Sequence, residues 1–149
     1  MSIKKELLVT CFSFVAEREK TVQKTITSNQ KALQSETKSS AGDKHETGRA
    51  MLQLEMEKAG QQLSSIHTMK LILKRIDVEN SSKNARLGSL IQTNKGNYFL
   101  AISLGKCTID QKEYFVISTS SPIGKQLLGK SNGDSFNFNA MNFQILEVK

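Results

Sequence analysis

The chain has 149 residues, and its 21 Lys and Arg against 14 Asp and Glu give a formal net charge of +7. This length allows one or two small domains, and the positive excess favours an acidic or polyanionic partner without identifying it. Cys11 and Cys107 lie in different segments without the spacing of metal ligands, which argues against a disulfide framework or a zinc site. No stretch approaches the ~20 apolar residues of a membrane span, and Glu6 interrupts the basic start that an export signal would need. We therefore expect a cytoplasmic protein without a membrane partner.

Two apolar series flank the short polar segment 41–46, and both advance in steps of three and four residues. That spacing is the heptad pattern of helices that pack along a narrow seam. Glu19 and Asn29 occupy seam positions where apolar residues are expected, and such polar residues reduce stability but discourage slippage. The first series is Leu8, Phe12, Val15, Val22, Ile26 and Leu33, and the second is Leu52, Met56, Ala59, Leu63, Ile66 and Leu73.

The two series are symmetric about the Gly42–Asp43 bond, as the seams of two antiparallel helices must be. Leu33 and Leu52, for example, lie equally far from that bond along the chain. The pattern predicts helices over Ile3–Lys38 and Lys44–Ile76, joined by a turn between Gly42 and Asp43. Residues 1–76 should therefore form an antiparallel coiled-coil hairpin in which Leu33 contacts Leu52 and Val22 contacts Leu63.

Residues 77–86 show no apolar period and indicate a linker, after which the chain changes to short β-type runs over 87–149. A short helix is expected among these runs, with Ser121 as N-cap, Pro122 at its first position and Gly129 at its end. We predict a small α+β domain whose core contains Phe115, Ile123, Leu127, Phe136 and Phe143. Its predicted strands are Leu87–Thr93, Asn97–Leu104, Glu113–Ser118, Asp134–Asn139 and Met141–Val148, with turns at 94–96, 110–112 and 132–134.

Residues 124–131 fit the phosphate-loop pattern G-x-x-x-x-G-K-[ST] letter for letter. That pattern binds phosphate only where a loop follows a strand and the Lys-Ser pair opens a helix. Here Pro122 begins the predicted helix, Leu127 lies inside it and Ser131 leads into a turn, so we expect no nucleotide site. His67 has no second metal-ligand residue four positions away, and we expect it to be a solvated residue beside the seam.

The predicted order is a hairpin with Gly42-Asp43-x-x-Glu46 at its tip, followed by a β domain that contains SPIGKQLLGKSNGD over 121–134. This arrangement resembles the Gre family of bacterial transcript-cleavage factors, the GreA/GreB group. The resemblance implies an FKBP-like C-terminal domain that docks on the outside of bacterial RNA polymerase. It also implies a monomer whose hairpin enters the secondary channel of the polymerase. The motif residues that carry the resemblance are Ser121, Pro122, Gly129, Lys130, Gly133 and Asp134.

The resemblance gives the hairpin tip a role in cleaving backtracked RNA near its 3′ end. Asp43 and Glu46 are then the catalytic residues, because two carboxylates can hold a second Mg²⁺ beside the one that the polymerase binds. The chain would not be an enzyme alone, and it would bind no cofactor in isolation. Lys38, Lys44 and Arg49 would contact the RNA or the polymerase as positive charges.

Three alternatives stay open at this point. Asp43 and Glu46 are also an ordinary N-cap and first-turn acid. Residues 47–50 read Thr-Gly-Arg-Ala where family members commonly have Asn-Ala-Glu-Tyr, so the chain is alternatively a non-catalytic regulator that occupies the channel. An FKBP-like isomerase or chaperone is a third hypothesis, which requires an open, aromatic-lined pocket.

Overall fold

The structure is a computed structural model that describes the backbone of residues 2–38 and 43–149 and the side chains of residues 2–35 and 46–149. Two long helices precede a six-stranded sheet, which confirms the predicted order of a helical pair and a small β-rich domain. The turn predicted between Gly42 and Asp43 lies outside the described residues. The elements are α1 Ile3–Lys38, α2 Asp43–Lys74, β1 Leu90–Thr93, β2 Gly96–Ala101, β3 Gly105–Ile109, β4 Lys112–Ser118, α3 Pro122–Leu127, β5 Ser135–Phe138 and β6 Met141–Val148.

The described chain divides into two compact units. One contains Met1–Phe14 together with Leu71–Lys149, and the other contains Val15–Lys70. The predicted boundaries at 76 and 86 follow secondary structure, whereas these two units follow contacts. The units place the start of α1 and the end of α2 with the sheet. Among the described residues, no helix combines the length and the apolar character that crossing a membrane requires.

The buried positions of α1 and α2 repeat every seven residues, as the heptad pattern predicts. In α1 this series is Val15, Val22 and Asn29, and in α2 it is Ala59, Ile66 and Leu73, all at most 8% exposed. Glu19 is the second polar seam residue, and its carboxylate accepts a hydrogen bond from the Lys70 ammonium at 2.6 Å, which ties α1 to α2. The contacts of Leu33 with Leu52 and of Val22 with Leu63 stay predictions.

The first turns of α1 differ from the predicted register. Phe12 was expected in the seam but is 38% exposed, whereas Leu7 and Cys11 are fully buried. These residues belong to the same compact unit as the sheet, so contacts within that unit decide which face of the helix is buried. Burial also raises the pKa of the Cys11 thiol to about 12, so Cys11 is a packing residue rather than a reactive one.

The sheet has the strand order β3-β4-β2-β1-β6-β5. Strands β2 and β4 are parallel, and the other neighbouring pairs are antiparallel. Leu127 of α3 is fully buried in the same core as Phe143, and Phe115, Ile123 and Phe136 pack against it. The predicted shared core of these five residues is therefore confirmed.

The strand β3 was missed, although the turn that follows it was predicted. Asp110 and Gln111 adopt φ values of 51° and 67° and form the two-residue turn between β3 and β4. β3 is an edge strand without a buried residue, and its apolar alternation is limited to Cys107 and Ile109, which is too short a signal to predict a strand. The first two predicted strands were also too long, since Gly88 at φ 89° precedes β1 and the Leu104 N–H turns back to the Ile102 carbonyl after β2.

We predict that Asn29→Leu stabilises the hairpin. Asn29 is 7% exposed, and its Nδ2 atom forms no hydrogen bond with the described residues. A buried polar group without a partner costs about 1–3 kcal/mol, so its removal should raise the melting temperature measured by circular dichroism. Gln30→Leu, on the neighbouring exposed position, is the control and should change little. A lower melting temperature for Asn29→Leu would show that the amide has a favourable partner.

We predict that Leu127→Ala lowers the free energy of unfolding by ~2–5 kcal/mol, because it leaves a cavity in the core of the β domain. The neighbouring Leu128 is 39% exposed, so Leu128→Ala is a matched control for the same change of side chain. Urea titration of both variants measures the difference. Equal losses for the two variants would contradict this position for α3.

Candidate functional site

The expected catalytic tip coincides with the first turn of α2, which begins at Asp43. Asp43 and Glu46 are three residues apart on a helix, a spacing that places two side chains on one face. Glu46 and Arg49 are both exposed to solvent. The side chains of Lys38, Asp43 and Lys44 lie outside the described residues, so the N-cap of α2 and the geometry of the two carboxylates stay predictions.

Within the described part of the chain, no group of three or more His, Cys, Asp or Glu side chains comes together to hold a metal ion. Mg²⁺ prefers nearly octahedral oxygen ligation and keeps several water ligands. Two tip carboxylates supply only part of that set. A metal held by Asp43 and Glu46 would therefore take further ligands from a partner molecule or from water.

A basic stripe on α1, made of Lys20, Lys24 and Lys31, was missed in the sequence. These lysines line a shallow groove of about 650 Å³ that Thr27 and Glu19 also border. Because Glu19 is paired with Lys70, its carboxylate adds little negative charge to the groove. The signal in the sequence is the spacing of four and seven residues, which repeats a position on one face of a helix. The stripe gives the hairpin an exposed positive surface.

His67 lies beside the seam, as expected. Its imidazole is 61% exposed, and its Nε2 atom is 3.9 Å from a Glu19 carboxylate oxygen. At that distance the two groups attract each other only when the imidazole is protonated. His67 is therefore a solvated neighbour of the Glu19–Lys70 pair.

The predicted cap of α3 is confirmed. The Ser121 hydroxyl accepts a hydrogen bond from the Gly124 N–H at 3.1 Å and donates one to the Ser118 carbonyl at 2.6 Å. Pro122 opens the helix, where its missing N–H costs nothing. The first half of the C-terminal motif is thus a helix start.

The second half of the motif joins α3 to distant parts of the β domain. The Gly129 N–H donates to the Ala85 carbonyl, and the Lys130 carbonyl accepts from the Ala85 N–H, both at 2.8 Å. The Gly133 N–H donates to the Ile145 carbonyl at 2.8 Å, and Gly129 and Gly133 have φ values of 82° and 89° that favour glycine. These motif residues therefore hold the domain together.

The remaining motif residues act locally. A carboxylate oxygen of Asp134 accepts from the Ser131 N–H at 2.8 Å, closing the turn that precedes β5. The Lys130 ammonium lies 5.9 Å from the centre of the Phe136 ring, within the range of a cation–π interaction. The motif thus brings together no set of side chains that resembles a catalytic site.

The phosphate-loop pattern of residues 124–131 begins inside a helix and ends after it, as the sequence order predicts. Gly124 and Lys125 lie inside α3, and Ser131 follows that helix rather than opening one. Gly124 is buried, and a Cβ atom there would clash with the Ser118 carbonyl oxygen. Glycine is required at position 124 for packing, and not for binding a phosphate group.

Residues 100–149 match the family model "Transcription elongation factor, GreA/GreB, C-term". The C-terminal third of the chain is therefore a GreA/GreB-like domain. The matched segment contains the whole motif over 121–134, whose residues join α3 to the rest of the β domain. A search of the curated proteins finds no match.

Among solved structures, the chain is similar to one described as "Structure of the transcription factor Gfh1". The two share 19% sequence identity over 95% of this chain and 92% of that chain, with a TM-score of 0.35.

We predict that Gly124→Ala destabilises this GreA/GreB-like domain by about 1–3 kcal/mol or more, because the new methyl group meets Ser118 and lies 2.8 Å from the Ser121 hydroxyl. Gly60→Ala is the matched control. Gly60 lies in α2 with no neighbouring atom within 4 Å of an added Cβ, so alanine there should raise stability by ~0.5–1 kcal/mol. Thermal unfolding of both variants measures the contrast, and a neutral Gly124→Ala would refute the packing role.

Proposed function

We propose that this GreA/GreB-like protein is a transcription elongation factor that binds bacterial RNA polymerase. Its hairpin enters the secondary channel, and its tip stimulates cleavage of backtracked RNA near the 3′ end. The observation that carries the proposal is the family match over residues 100–149, which contains the motif that joins α3 to the β domain. The protein acts in the cytoplasm as a monomer and is not an enzyme by itself.

The length of the helices supports a role for the tip. α2 contains 32 residues, and at ~1.5 Å per residue such a helix is ~48 Å long. This is longer than the core of a small β domain requires. An arm of this length allows a domain on the outside of a large partner to place a few side chains deep inside it.

The charges of the hairpin also support the proposal. Lys20, Lys24 and Lys31 give α1 an exposed positive stripe, while Glu46 is an exposed acid near the tip. A positive arm suits the acidic wall of a channel or the phosphates of a transcript, and an acidic tip suits a metal ion. The arrangement separates attraction to the partner from the chemistry at the tip.

Asp43 and Glu46 would each offer one carboxylate oxygen to a Mg²⁺ ion shared with the polymerase. Such an ion supplies an activated water and stabilises the negative charge that develops on the phosphate. Lys38, Lys44 and Arg49 would neutralise and orient the phosphates of the RNA. The chain brings no cofactor of its own to this chemistry.

A non-catalytic regulator of the secondary channel is the second candidate, and one observation favours it. Arg49 is exposed three residues after Glu46, where it can pair with that carboxylate. The isomerase hypothesis has less support, because the cavity beside the sheet in the Met1–Phe14/Leu71–Lys149 unit is lined by lysines and amides around a single Tyr114 ring.

We predict that Asp43→Asn and Glu46→Gln each lower the rate of stimulated RNA cleavage by orders of magnitude. Folding and polymerase binding should persist in both variants. Asn caps a helix about as well as Asp, so Asp43→Asn removes the charge and keeps the cap. Co-purification with bacterial RNA polymerase and a cleavage assay on a backtracked complex measure the two properties separately.

Glu55→Gln is the control for this experiment, because Glu55 is an exposed acid on α2 away from the first turn. It should cleave like the parent. If the parent binds polymerase but never stimulates cleavage, the regulator is the correct function. If the parent does not bind polymerase, both candidates fail.

A further inference from the structure

A cavity of about 310 Å³ lies in the Met1–Phe14/Leu71–Lys149 unit, between the start of α1 and the sheet. Lys4 of α1 and Tyr114 of β4 line it, together with apolar atoms of Ile3 and Leu90. The cavity plays no part in the proposed chemistry at the hairpin tip. Its polar groups indicate what it can hold.

Lys4 is unusual because it is only 8% exposed. Among the described residues its ammonium forms no ion pair within 4.0 Å and no hydrogen bond. Burial lowers the pKa of Lys4, and the positive charge of Arg86 lowers it further, while Asp77 acts in the opposite direction and more weakly. Because this partly desolvated ammonium has no acceptor among the described residues, an anion in the cavity would gain a charged hydrogen-bond partner.

Tyr114 is 5% exposed, and in the described part of the protein its hydroxyl has no hydrogen-bond partner. Burial raises the pKa of Tyr114, and the carboxylates of Asp110 and Glu6 contribute in the same direction. The phenol therefore keeps its proton at neutral pH. Its hydroxyl is a second donor at the same cavity.

The charged side chains around the cavity have a positive balance. Lys112 and Lys149 line it as well as Lys4, and Glu147 is the single acid among its lining residues. The Glu147 carboxylate lies 3.9 Å from the Lys149 ammonium, so these two charges largely compensate each other. Lys4 and Lys112 are the other two charges that line the cavity, while Asp77 lies in electrostatic range of Lys4, and Asp110 and Glu6 lie in range of Tyr114.

We propose that this cavity binds the phosphate group of a small phosphorylated organic molecule, with Lys4, Lys112 and Tyr114 as its donors. A phosphate monoester has three terminal oxygens and carries a charge of about −1.5 to −2 at neutral pH, which suits three donors of which two are lysines. A single carboxylate has two oxygens in one plane and one charge, and it would leave a donor unsatisfied. Ile3 and Leu90 provide an apolar wall for the organic part of the ligand.

The test is a titration of the full isotopically labelled chain, followed by amide nuclear magnetic resonance. Adenosine 5′-monophosphate and inorganic phosphate are the phosphate probes, and acetate is the carboxylate probe. We expect both phosphate probes to shift the amide signals of residues 2–4, 90–92 and 112–114, with the nucleotide binding more tightly. Acetate should produce no such shifts.

Two variants and one matched control make the test specific. Lys4→Met and Tyr114→Phe should each weaken binding by about tenfold or more, because each removes one of the three proposed donors. Lys5→Met removes the same charge one residue later, where Lys5 pairs with Glu79 at 2.7 Å on the surface, and it should bind like the parent. Lys4→Met should also raise the melting temperature in the absence of ligand, because it removes a desolvated charge.

The proposal fails if neither phosphate probe binds the parent at millimolar concentration. It also fails if shifts cluster elsewhere, or if Lys5→Met loses as much affinity as Lys4→Met. Should Lys4→Met not fold, Tyr114→Phe decides the question, since it changes one hydroxyl and leaves the ring in place. Binding of acetate equal to that of phosphate would assign the cavity to carboxylates and overturn the phosphate assignment.

Discussion

The start of α1 and the end of α2 are buried in the same compact unit as the sheet, and the rest of that unit depends on this packing. Leu7 and Leu73 are at most 1% exposed, and Gly88 lies so close to Ile76 that an added Cβ would be 2.9 Å from the Ile76 Cγ2 atom. Beyond this base the seam is narrow and includes the polar Asn29. Long helices gain most of their stability from packing rather than from propensity, so the buried residues at the start of α1 and the end of α2 add to what the seam provides.

The C-terminal motif contributes to that base. Two backbone hydrogen bonds hold Ala85 between Gly129 and Lys130, and Ala85 is 3% exposed in the core of the β domain. The end of the predicted linker is therefore fixed rather than loose, although its sequence has no apolar period. These motif residues thus secure the chain just before the sheet begins. They contribute to fold and position, whereas the proposed chemistry lies at the other end of the helices.

The sequence predicts features that repeat and fails at features that depend on tertiary contacts. The heptad positions and the cap at Ser121 were predicted because the spacing along a helix determines both. Phe12 was placed wrongly, since near the start of α1 contacts within the unit that contains the sheet decide which face is buried. Strand β3 was missed because this edge strand has no buried residue and only two alternating apolar residues, Cys107 and Ile109. The pairing of Lys4 with Tyr114 at one cavity joins residues 110 positions apart, and no local pattern encodes it.

The departures of the tip from the family pattern can be weighed by their energies. An exposed Glu46–Arg49 pair at this helical spacing would contribute only about 0.2–0.5 kcal/mol, and Gly48 loosens the first turn by ~0.5–1 kcal/mol relative to alanine. Both effects are smaller than the contribution of one hydrogen bond to a charged group, which is about 1.5–3 kcal/mol. Neither substitution would prevent the Glu46 carboxylate from coordinating a metal ion that a polymerase already binds. In the proposed function, the departures would therefore change how well the two carboxylates are oriented and would leave their capacity to bind the ion intact.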